Sequence, residues 1–449
     1  DSGFLFRRSV SLMKAMEDKT HAGAFVAAPL TPWGQHSQDN TSFENEKGQV
    51  AGYHLVWPRD LYQMASSFLL LGDASSGIAS LNYLKTIQLG PDDGEWIFGF
   101  RRASRDGSYM QNTWLDGSSY WSSLQLDETS FPVLLAYRLW KAKAIVMGRY
   151  WDMTHRAADF IYSMGPWTAQ ERWEENMGAS PSTIASAIAA LWGASEMAEA
   201  VGDHERAQRY RERAQHWAFK SGDNVDSWTF TSTGGLGNGK YYLRIKGASR
   251  VDQAWNPNDE ETYQISNPGG MRVREKDIID GGFLQLVRFG VRTAWDYHIN
   301  ETIHEYDNYI RVETHRGPGF YRYLGDRYNY DDDSGQNTAG MLWPLLTGER
   351  GVFEFEKVTE RGGSLALAEE ALFPYLSAME RFATPTGMMP EQVWSGGLYE
   401  GRPTGAATPL GWAHAEYIKL LALRKYGTNP ETIESLKKQA LYLQIQGTR

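Results

Sequence analysis

The sequence predicts an all-α protein with long loops and one small β-hairpin, and three observations support this prediction. Apolar residues recur at helical spacing in many separate segments, and some of these segments carry helix start signals. Long Gly-, Asn-, Asp- and Trp-rich stretches separate the segments. The sequence has no Pro- or Ser-rich linker and no low-complexity tract, so we expect residues 1–449 to form one domain.

Helices are expected wherever the apolar spacing follows the helical period. The sequence predicts them over 4–16, 61–71, 77–89, 128–147, 151–164, 181–201, 204–220, 277–289, 365–382, 410–426 and 430–443. Ser180 before Pro181, and Asn429 before Pro430, each place a capping side chain ahead of a proline at the first helical position. These two pairs therefore mark helix starts.

Four polar stretches, over 31–53, 92–120, 221–270 and 316–342, connect the predicted helices. Loops longer than about 15 residues in a compact protein are usually functional. Within the third stretch, residues 226–245 alternate in polarity on both sides of a Gly-rich turn, which predicts the β-hairpin. Paired helices with loops after alternate helices suit a closed double ring with a cleft at one end, while a bundle or a solenoid stays possible.

Composition excludes several classes of function. The net charge of -10 and the pI of about 5.6 give no basic surface for nucleic acid, and no uninterrupted apolar run reaches the roughly 18 residues of a membrane span. The absence of cysteine excludes disulfides, thiolate metal sites and a cysteine nucleophile. The 17 Trp, 24 Tyr and 18 Phe residues often stand beside Gly, Asp, Asn or Arg, as in surfaces that bind sugar rings, although core packing is the alternative.

Two carboxylate segments are the strongest candidates for chemistry. Glu174 and Glu175 follow Trp173 just before a predicted helix start, where a desolvated carboxyl group can act as a general acid. Glu391 lies in a second Pro- and Gly-flanked segment with Gln392. Glycoside hydrolysis commonly uses two such carboxyl groups, while solvated acidic turns are the alternative interpretation of each segment alone.

Further clusters combine charge with aromatic rings. Arg59 and Asp60 follow Trp57 at a predicted helix start, where they could bind adjacent sugar hydroxyls. Trp121 precedes a pair of carboxylates, and the loop over 317–323 mixes aromatic rings with Arg322. Three consecutive aspartates at 331–333 could hold a structural calcium ion but lack the spacing of an EF-hand loop. Serine-hydrolase, phosphate-loop and zinc-protease motifs are missing from the sequence.

Five motifs, in this order, resemble the glucoamylase family, glycoside hydrolase family 15, in its bacterial branch. They are His-Leu-Val-Trp-Pro-Arg-Asp at 54–60, Gln-Leu-Asp-Glu at 125–128, Arg-Trp-Glu-Glu at 172–175, Pro-Glu-Gln-Val-Trp at 390–394, and Ala-Thr-Pro-Leu-Gly-Trp-Ala-His-Ala-Glu-Tyr at 407–417. The resemblance implies an (α/α)6 barrel with a pocket at one end. It also implies attack at the non-reducing ends of α-glucans with inversion, which releases β-glucose.

The resemblance assigns roles to residues. It implies that Glu174 is the general acid and Glu391 the general base, with carboxyl groups about 6.5–9.5 Å apart to leave room for a water. Glu175 would assist substrate binding and keep Glu174 protonated through its adjacent charge. The expected substrate-binding residues are Trp57, Arg59, Asp60, Trp121, Trp173, Glu175, Arg322, Tyr323, Gln392 and Trp394. No metal ligand and no required cofactor follow from it.

Some features depart from the family pattern or leave alternatives open. Bacterial members usually carry an N-terminal β-sandwich domain, whereas this chain begins at the first expected barrel helix, so we expect that domain to be absent or separate. Met177, Ala179 and the long 221–270 segment leave the linkage preference open between glucoamylase (α-1,4) and glucodextranase (α-1,6) types. A dextran dextrinase-like transglucosylase, a non-catalytic glucan-binding protein and an unrelated endo-glycanase are the other hypotheses. Polymeric substrates outside the cell predict a secreted or periplasmic enzyme, and no signal peptide is visible in the sequence.

Overall fold

A computed structural model describes residues 3–29, 52–98, 101–247, 255–265, 271–328 and 340–447. Its α-helices within these ranges are α1 (Phe4–Ala15), α2 (Pro58–Leu70), α3 (Ala74–Ile87), α4 (Leu126–Lys141), α5 (Trp151–Met164), α6 (Pro181–Val201), α7 (His204–Phe219), α8 (Val225–Thr229), α9 (Leu284–Arg288), α10 (Tyr297–Tyr309), α11 (Pro344–Thr359), α12 (Leu365–Phe382), α13 (Gly411–Tyr426) and α14 (Glu434–Gly447). The prediction of a mostly helical protein is confirmed.

Six of these helices form a closed inner ring. α2 packs on α4, α4 on α6, α6 on α9, α9 on α11, α11 on α13, and α13 packs back on α2. Helices α1, α3, α5, α7 and α12 pack against the outside of this ring, and α10 follows α9 along the chain. The arrangement is an (α/α)6 barrel, so the ring is confirmed over the bundle and the solenoid.

α6 shows how an inner helix is buried on all sides. Its length and apolar composition would suit a membrane span, and among the described helices it alone has both properties. In the barrel it lies between α4 and α9 with α7 behind it, and 78% of its most apolar stretch is buried. A helix that is apolar all round belongs in a core or a bilayer, and here the ring provides the core.

Short antiparallel hairpins decorate the loops. The described strand pairs are β1 (Glu95–Phe98) with β2 (Arg101–Ser104), β3 (Gly178–Ala179) with β6 (Lys246–Gly247), β4 (Phe230–Thr231) with β5 (Tyr241–Tyr242), β7 (Thr262–Ile265) with β8 (Met271–Arg274), and β9 (Arg311–Thr314) with β10 (Gly317–Phe320). The β4–β5 pair confirms the predicted hairpin. Its strands are only two residues long, because α8 takes up the first part of the predicted strand.

Three helices were not predicted: the five-residue α8 and the longer α10 and α11. α10 is rich in β-branched, aromatic and His residues, and α11 contains Gly348 and Gly351, which weaken a helical signal. A Cβ atom at Gly348 would lie 2.8 Å from the Cβ atom of Glu416 on α13, and one at Gly351 would lie 3.0 Å from that of Tyr375 on α12. The glycines therefore allow α11 to approach its neighbours closely, and tertiary packing overrides their poor helix propensity.

Three predicted details are wrong. The helix expected over 277–289 is reduced to α9, after a tight 3₁₀ turn at Gly281–Phe283. Asn429 does not cap α14, because its side chain accepts from the Glu431 N–H and donates to the carbonyl of Arg288, which fixes a turn ahead of the helix. The Ser180 hydroxyl lies 3.1 Å from that of Ser182 and caps no backbone N–H, although α6 does start at the next residue.

Candidate active site

A cavity of about 330 Å³ lies where the inner helices begin. Its described lining comes largely from the first turns of α2, α11 and α13 and from the segment just ahead of α6: Ala27, Tyr53, Trp57, Arg59, Asp60, Trp121, Arg172, Trp173, Glu174, Glu175, Arg322, Tyr328, Trp343, Leu345, Glu391, Leu410 and Trp412. Helix N-termini carry partial positive charge, so this end of the barrel favours the negative charge of carboxylates.

Glu174 lies in a tight turn with an unusual backbone. Its φ of 67° is in the left-handed region, and its N–H donates to the Glu171 carbonyl at 2.7 Å. One carboxylate oxygen, Oε1, accepts from Nη2 of Arg59 at 3.1 Å, and the other, Oε2, accepts from Nε2 of Gln111 at 2.8 Å. Non-glycine residues adopt this backbone at a cost of about 1–3 kcal/mol, and such strain concentrates at functional sites.

Glu391 is held at the same cavity from a different segment of the chain. Its side chain is buried, its N–H donates to the carbonyl of Ala407 at 2.8 Å, and its Oε1 accepts from the Tyr53 hydroxyl at 2.6 Å. The preceding Met389 N–H donates to Nε2 of His414 on α13 at 3.0 Å. Backbone and side-chain contacts therefore both fix the position of this carboxylate.

Arg59 joins α2 and α4 beneath the cavity. Its Nη1 donates to Oε1 of Gln125 at 2.7 Å and lies 3.3 Å and 3.2 Å from carboxylate oxygens of Asp127 and Glu128. Asp60, the next residue, is also buried. Burial raises the pKa of Asp60 to about 6, although the charge of Arg59 opposes this shift.

Glu175 is turned towards two arginines. Its Oε2 lies 2.7 Å from Nη2 of Arg244, its Oε1 lies 3.2 Å from Nη2 of Arg322, and the Tyr323 hydroxyl donates to it at 2.8 Å. Burial alone would disfavour the charged form, but these partners outweigh it and lower the pKa of Glu175. Because both arginines balance its charge, this geometry does not support the expectation that Glu175 keeps Glu174 protonated.

Aromatic rings form the walls of the cavity. Trp57 and Trp121 meet edge to face with ring centres 6.1 Å apart, and Trp173 and Trp343 do so at 5.7 Å. Trp121 is 40% exposed, whereas the other three are buried. Nε1 of Trp173 donates to Asp280 at 3.0 Å, which fixes the plane of that ring. The walls therefore combine one exposed ring with three buried rings.

The structure brings most of the sequence-predicted site residues together. Those that line the cavity are Trp57, Arg59, Asp60, Trp121, Trp173, Glu174, Glu175, Arg322 and Glu391. Tyr323 lies behind Glu175, and Gln392 is fully buried behind the lining. Trp394 packs against Tyr399 with ring centres 6.4 Å apart, away from the lining.

The site also contains residues outside the predicted set, among them Tyr53, Tyr328 and Trp343 in the lining and Gln111 against Glu174. A signal for Trp343 was present, because Trp343-Pro344 repeats the Trp57-Pro58 pattern that opens α2. No comparable pattern marks the other three.

Possible metal sites lie elsewhere. Among the described residues, Asp259, Glu261 and Glu275 are close enough to share a metal ion. The Nζ atom of Lys246 lies 3.3, 3.0 and 2.7 Å from their carboxylates and balances their charge instead. The aspartates at 331–333, which could hold calcium, lie outside the described residues.

Comparison with known proteins agrees with this geometry. The chain is 40% identical over 420 residues to a glucoamylase from Clostridium sp. (strain G0005), an alignment that covers 93% of this chain and 52% of that protein. A crystal structure of a bacterial glucoamylase complexed with acarbose superposes with a TM-score of 0.79 at 37% identity, over 97% of this chain and 57% of the other. The chain thus spans about half the length of these relatives.

A more distant structure shares the fold. Glucoamylase from Saccharomycopsis fibuligera superposes with a TM-score of 0.60 at 13% identity, over 94% of this chain and 95% of that one. The family profile described as Glycosyl hydrolases family 15 matches residues 2–422. With an (α/α)6 barrel, a carboxylate-lined cavity at its helix N-termini and this match over most of its length, the chain belongs to glycosyl hydrolases family 15.

Proposed function

We propose that the chain is an exo-acting, inverting α-glucan hydrolase that releases β-D-glucose from non-reducing ends. The observation that carries the proposal is that Glu174 and Glu391, 217 residues apart in sequence, line one tryptophan-walled cavity. Two carboxyl groups across a sugar-binding cavity are the machinery of glycoside hydrolysis. The relatives named glucoamylase support the α-glucan substrate.

The two carboxyl groups divide the reaction. Glu174 donates its proton to the glycosidic oxygen as the C1–O bond breaks. Glu391 takes a proton from a water molecule that attacks C1 from the opposite face, so the proton lost by Glu174 is matched by the one gained by Glu391. The Tyr53 hydroxyl donates to Oε1 of Glu391 at 2.6 Å and helps to fix the orientation of this carboxylate. The reaction uses no cofactor.

The shape of the cavity favours attack at chain ends. Its volume of about 330 Å³ is at the lower end of the ~300–1,000 Å³ typical of small-molecule sites. Asp60, Arg59 and Arg322 are buried parts of its lining, whereas Trp121 is exposed. We propose that a terminal glucose binds the buried charged residues, while the rest of the glucan extends past Trp121.

Substrate linkage and cellular location follow from the same proposal. We propose that α-1,4 linkages are the main substrate, as in the relatives named glucoamylase, with α-1,6 cleavage of the glucodextranase type as the second candidate. Residues 1–449 would act as one catalytic domain outside the cytoplasm, where polymeric glucans are found.

Incubation with maltose, isomaltose, maltotetraose and dextran, followed by NMR of the product anomers, tests the function. We expect β-glucose as the first product and faster turnover of maltotetraose than of isomaltose. Longer oligosaccharides as first products would show endo-attack, newly formed linkages would show transglucosylation, and α-glucose would contradict inversion.

Two substitutions test the assigned roles. Glu174→Gln and Glu391→Gln should each lower kcat by about 10²–10⁴-fold, because a general acid or base contributes about that much. Glu313→Gln, an exposed glutamate on β9, is the matched control and should keep full activity. Normal turnover by either active-site variant would overturn the assignment.

A further inference from the structure

Both carboxylate oxygens of Glu174 receive an N–H, but from chemically different partners. Arg59 approaches Oε1, and a guanidinium group can only donate hydrogen bonds. Gln111 approaches Oε2, and a side-chain amide carries both a donor and an acceptor. The two oxygens of this carboxyl group are therefore not equivalent.

This difference decides which contact suits each protonation state of Glu174. The Arg59 contact favours the ionised carboxylate, because a guanidinium group has no acceptor and its positive charge opposes an added proton. A proton on Oε2 meets Gln111, whose amide can turn to present its carbonyl oxygen as the acceptor. The Gln111 contact therefore suits both the ionised and the protonated carboxyl group, whereas the Arg59 contact suits only the ionised one.

The backbone holds Gln111 in this place. Its side chain is only 4% exposed. Two residues further on, Thr113 and Val56 exchange N–H to carbonyl hydrogen bonds of 3.0 and 2.9 Å, so the segment with Gln111 pairs with the strand-like entry to α2. Asn112 accepts from the N–H of Trp121 at 2.9 Å. The same short segment thus connects the acid, the start of α2 and the exposed wall of the cavity.

We propose that Gln111 is a positioning residue for the general acid: its side-chain amide holds the carboxyl group of Glu174 in place in both protonation states. The proposal rests on the function proposed above and adds a residue to it. Gln111 contacts Glu174 and is absent from the described lining of the cavity, so it acts through the acid.

The substitutions that test the proposal leave the neighbouring charges in place. These charges act on the Glu174 carboxyl group or on its partner Arg59, or line the same cavity. They are Arg59 and Asp60 on α2, Asp127 and Glu128 on α4, Arg172 and Glu175 beside the acid, Arg322 after β10, and Glu391. None of these groups is altered by a substitution at Gln111.

The test compares two substrates that differ in their need for an acid. The leaving group of maltose is a sugar alkoxide, which must be protonated as the bond breaks. The leaving group of α-D-glucosyl fluoride is fluoride, which needs far less help from a general acid. Gln111→Met keeps a similar length but has no amide. We expect kcat/KM to fall about 10- to 100-fold for maltose and less than about threefold for glucosyl fluoride. The ratio between substrates does not depend on how much of the variant is folded.

A second variant and a control complete the experiment. Gln111→Glu restores a partner that can share one proton with Glu174, so it should regain part of the maltose activity at acidic pH, where Gln111→Met does not. Gln88→Met removes another buried amide, which donates to the carbonyls of Gly107 and Met153 and does not line the cavity. It should lower the free energy of unfolding and leave the substrate ratio unchanged.

Each outcome decides between the alternatives. A larger loss on maltose than on the fluoride, with partial recovery in Gln111→Glu, supports the positioning role. Equal losses on both substrates, or no loss on either, overturn it while leaving the proposed function intact. If the unsubstituted chain hydrolyses neither substrate, or if Glu174→Gln cleaves maltose at a normal rate, then the proposed function fails and the role of Gln111 fails with it.

Discussion

At the scale of single residues, Glu174 combines a proposed catalytic role with a left-handed backbone. A φ of 67° suits glycine, whereas a residue with a Cβ atom adopts it at a cost of about 1–2 kcal/mol. We therefore expect Glu174→Gly to be more stable than Glu174→Ala by about 1 kcal/mol. Chemical denaturation of both inactive variants measures the difference. Because both variants lack the carboxylate, their comparison isolates the backbone.

The same pair of substitutions at Glu212, an exposed position inside α7, provides the control. There the usual helical order should hold, with glycine less stable than alanine by about 1 kcal/mol. If the glycine variant is less stable than the alanine variant at both positions, the backbone at Glu174 is not strained.

Asp60 gives a prediction for pH. Burial raises its pKa to about 6, so this carboxyl group loses its charge as the pH falls through 6. If an ionised Asp60 accepts hydrogen bonds from the terminal glucose, KM for maltose should rise several-fold between pH 7 and pH 5. Asp60→Asn should have a higher KM that changes little over this interval. A wild-type KM that is constant across pH 5–7 would contradict this role.

At the scale of elements, His414 ties three segments together. It lies in the first turn of α13, its Nδ1 is 2.9 Å from the Ser9 hydroxyl on α1, and its Nε2 accepts from the N–H of Met389, two residues before Glu391. Nε2 can accept only in the neutral ring, so Nδ1 carries the hydrogen and donates to Ser9. Protonation would break the contact that positions the segment with Glu391.

This contact makes stability depend on pH. Burial, aided by the charge of Arg8, lowers the pKa of His414 to about 3 from an ordinary 6.5. Between pH 3 and pH 6.5 the unfolded chain therefore binds more protons than the folded chain. The contribution of His414 to the free energy of unfolding is complete above pH 6.5 and is lost as the pH falls towards 3. The loss amounts to about 5 kcal/mol at most. His414→Gln keeps an acceptor and does not titrate, so its unfolding free energy should fall less between pH 7 and pH 4.5. Parallel curves would contradict the prediction.

Elements also show where sequence reasoning succeeds. α5 and α6 have the predicted bounds because their apolar period agrees with their final environment. α11 was missed because Gly348 and Gly351 serve contacts with other helices, which a local pattern does not contain. The helix expected over 277–289 was too long, because the apolar residues ahead of α9 are buried in a turn and not in a helix.

At the scale of the whole molecule, the site depends on where the ring brings its segments. The motifs around Arg59, Glu174 and Glu391 are visible in the sequence because each is locally unusual. Their meeting at one cavity, and the contact of Gln111 with Glu174, arise only when the inner helices close with their N-termini at one end. The resemblance could name the charged residues, but the compensation of Glu175 by Arg244 was not predictable, because Arg244 lies in a loop without a recognisable motif.

Closure of the ring also depends on a buried carboxylate away from the cavity. Glu431 accepts from the Tyr62 hydroxyl of α2 at 3.0 Å, and its carboxylate lies 3.2 Å from Lys419 of α13, 3.3 Å from Arg288 of α9 and 3.9 Å from Arg138 of α4. One residue thus contacts four inner helices. Burial opposes its charge, but the cations outweigh this effect and lower the pKa of Glu431 to about 2.

Removal of this charge should weaken the barrel without changing the chemistry. Glu431→Gln leaves buried cations with less compensation, so we expect a loss on the order of 3 kcal/mol at pH 7. In the wild type the contribution of Glu431 to stability is complete above pH 4.5 and disappears as the pH falls towards 2.

Glu434→Gln, at an exposed position on the first turn of α14, should change stability by less than about 0.5 kcal/mol. Urea denaturation compares the two variants, and kcat/KM of the folded Glu431→Gln protein should match the wild type because Glu431 does not line the cavity. Equal urea midpoints for the two variants would show that the ring closes without this ion cluster, since hydrophobic packing of the six inner helices would then suffice.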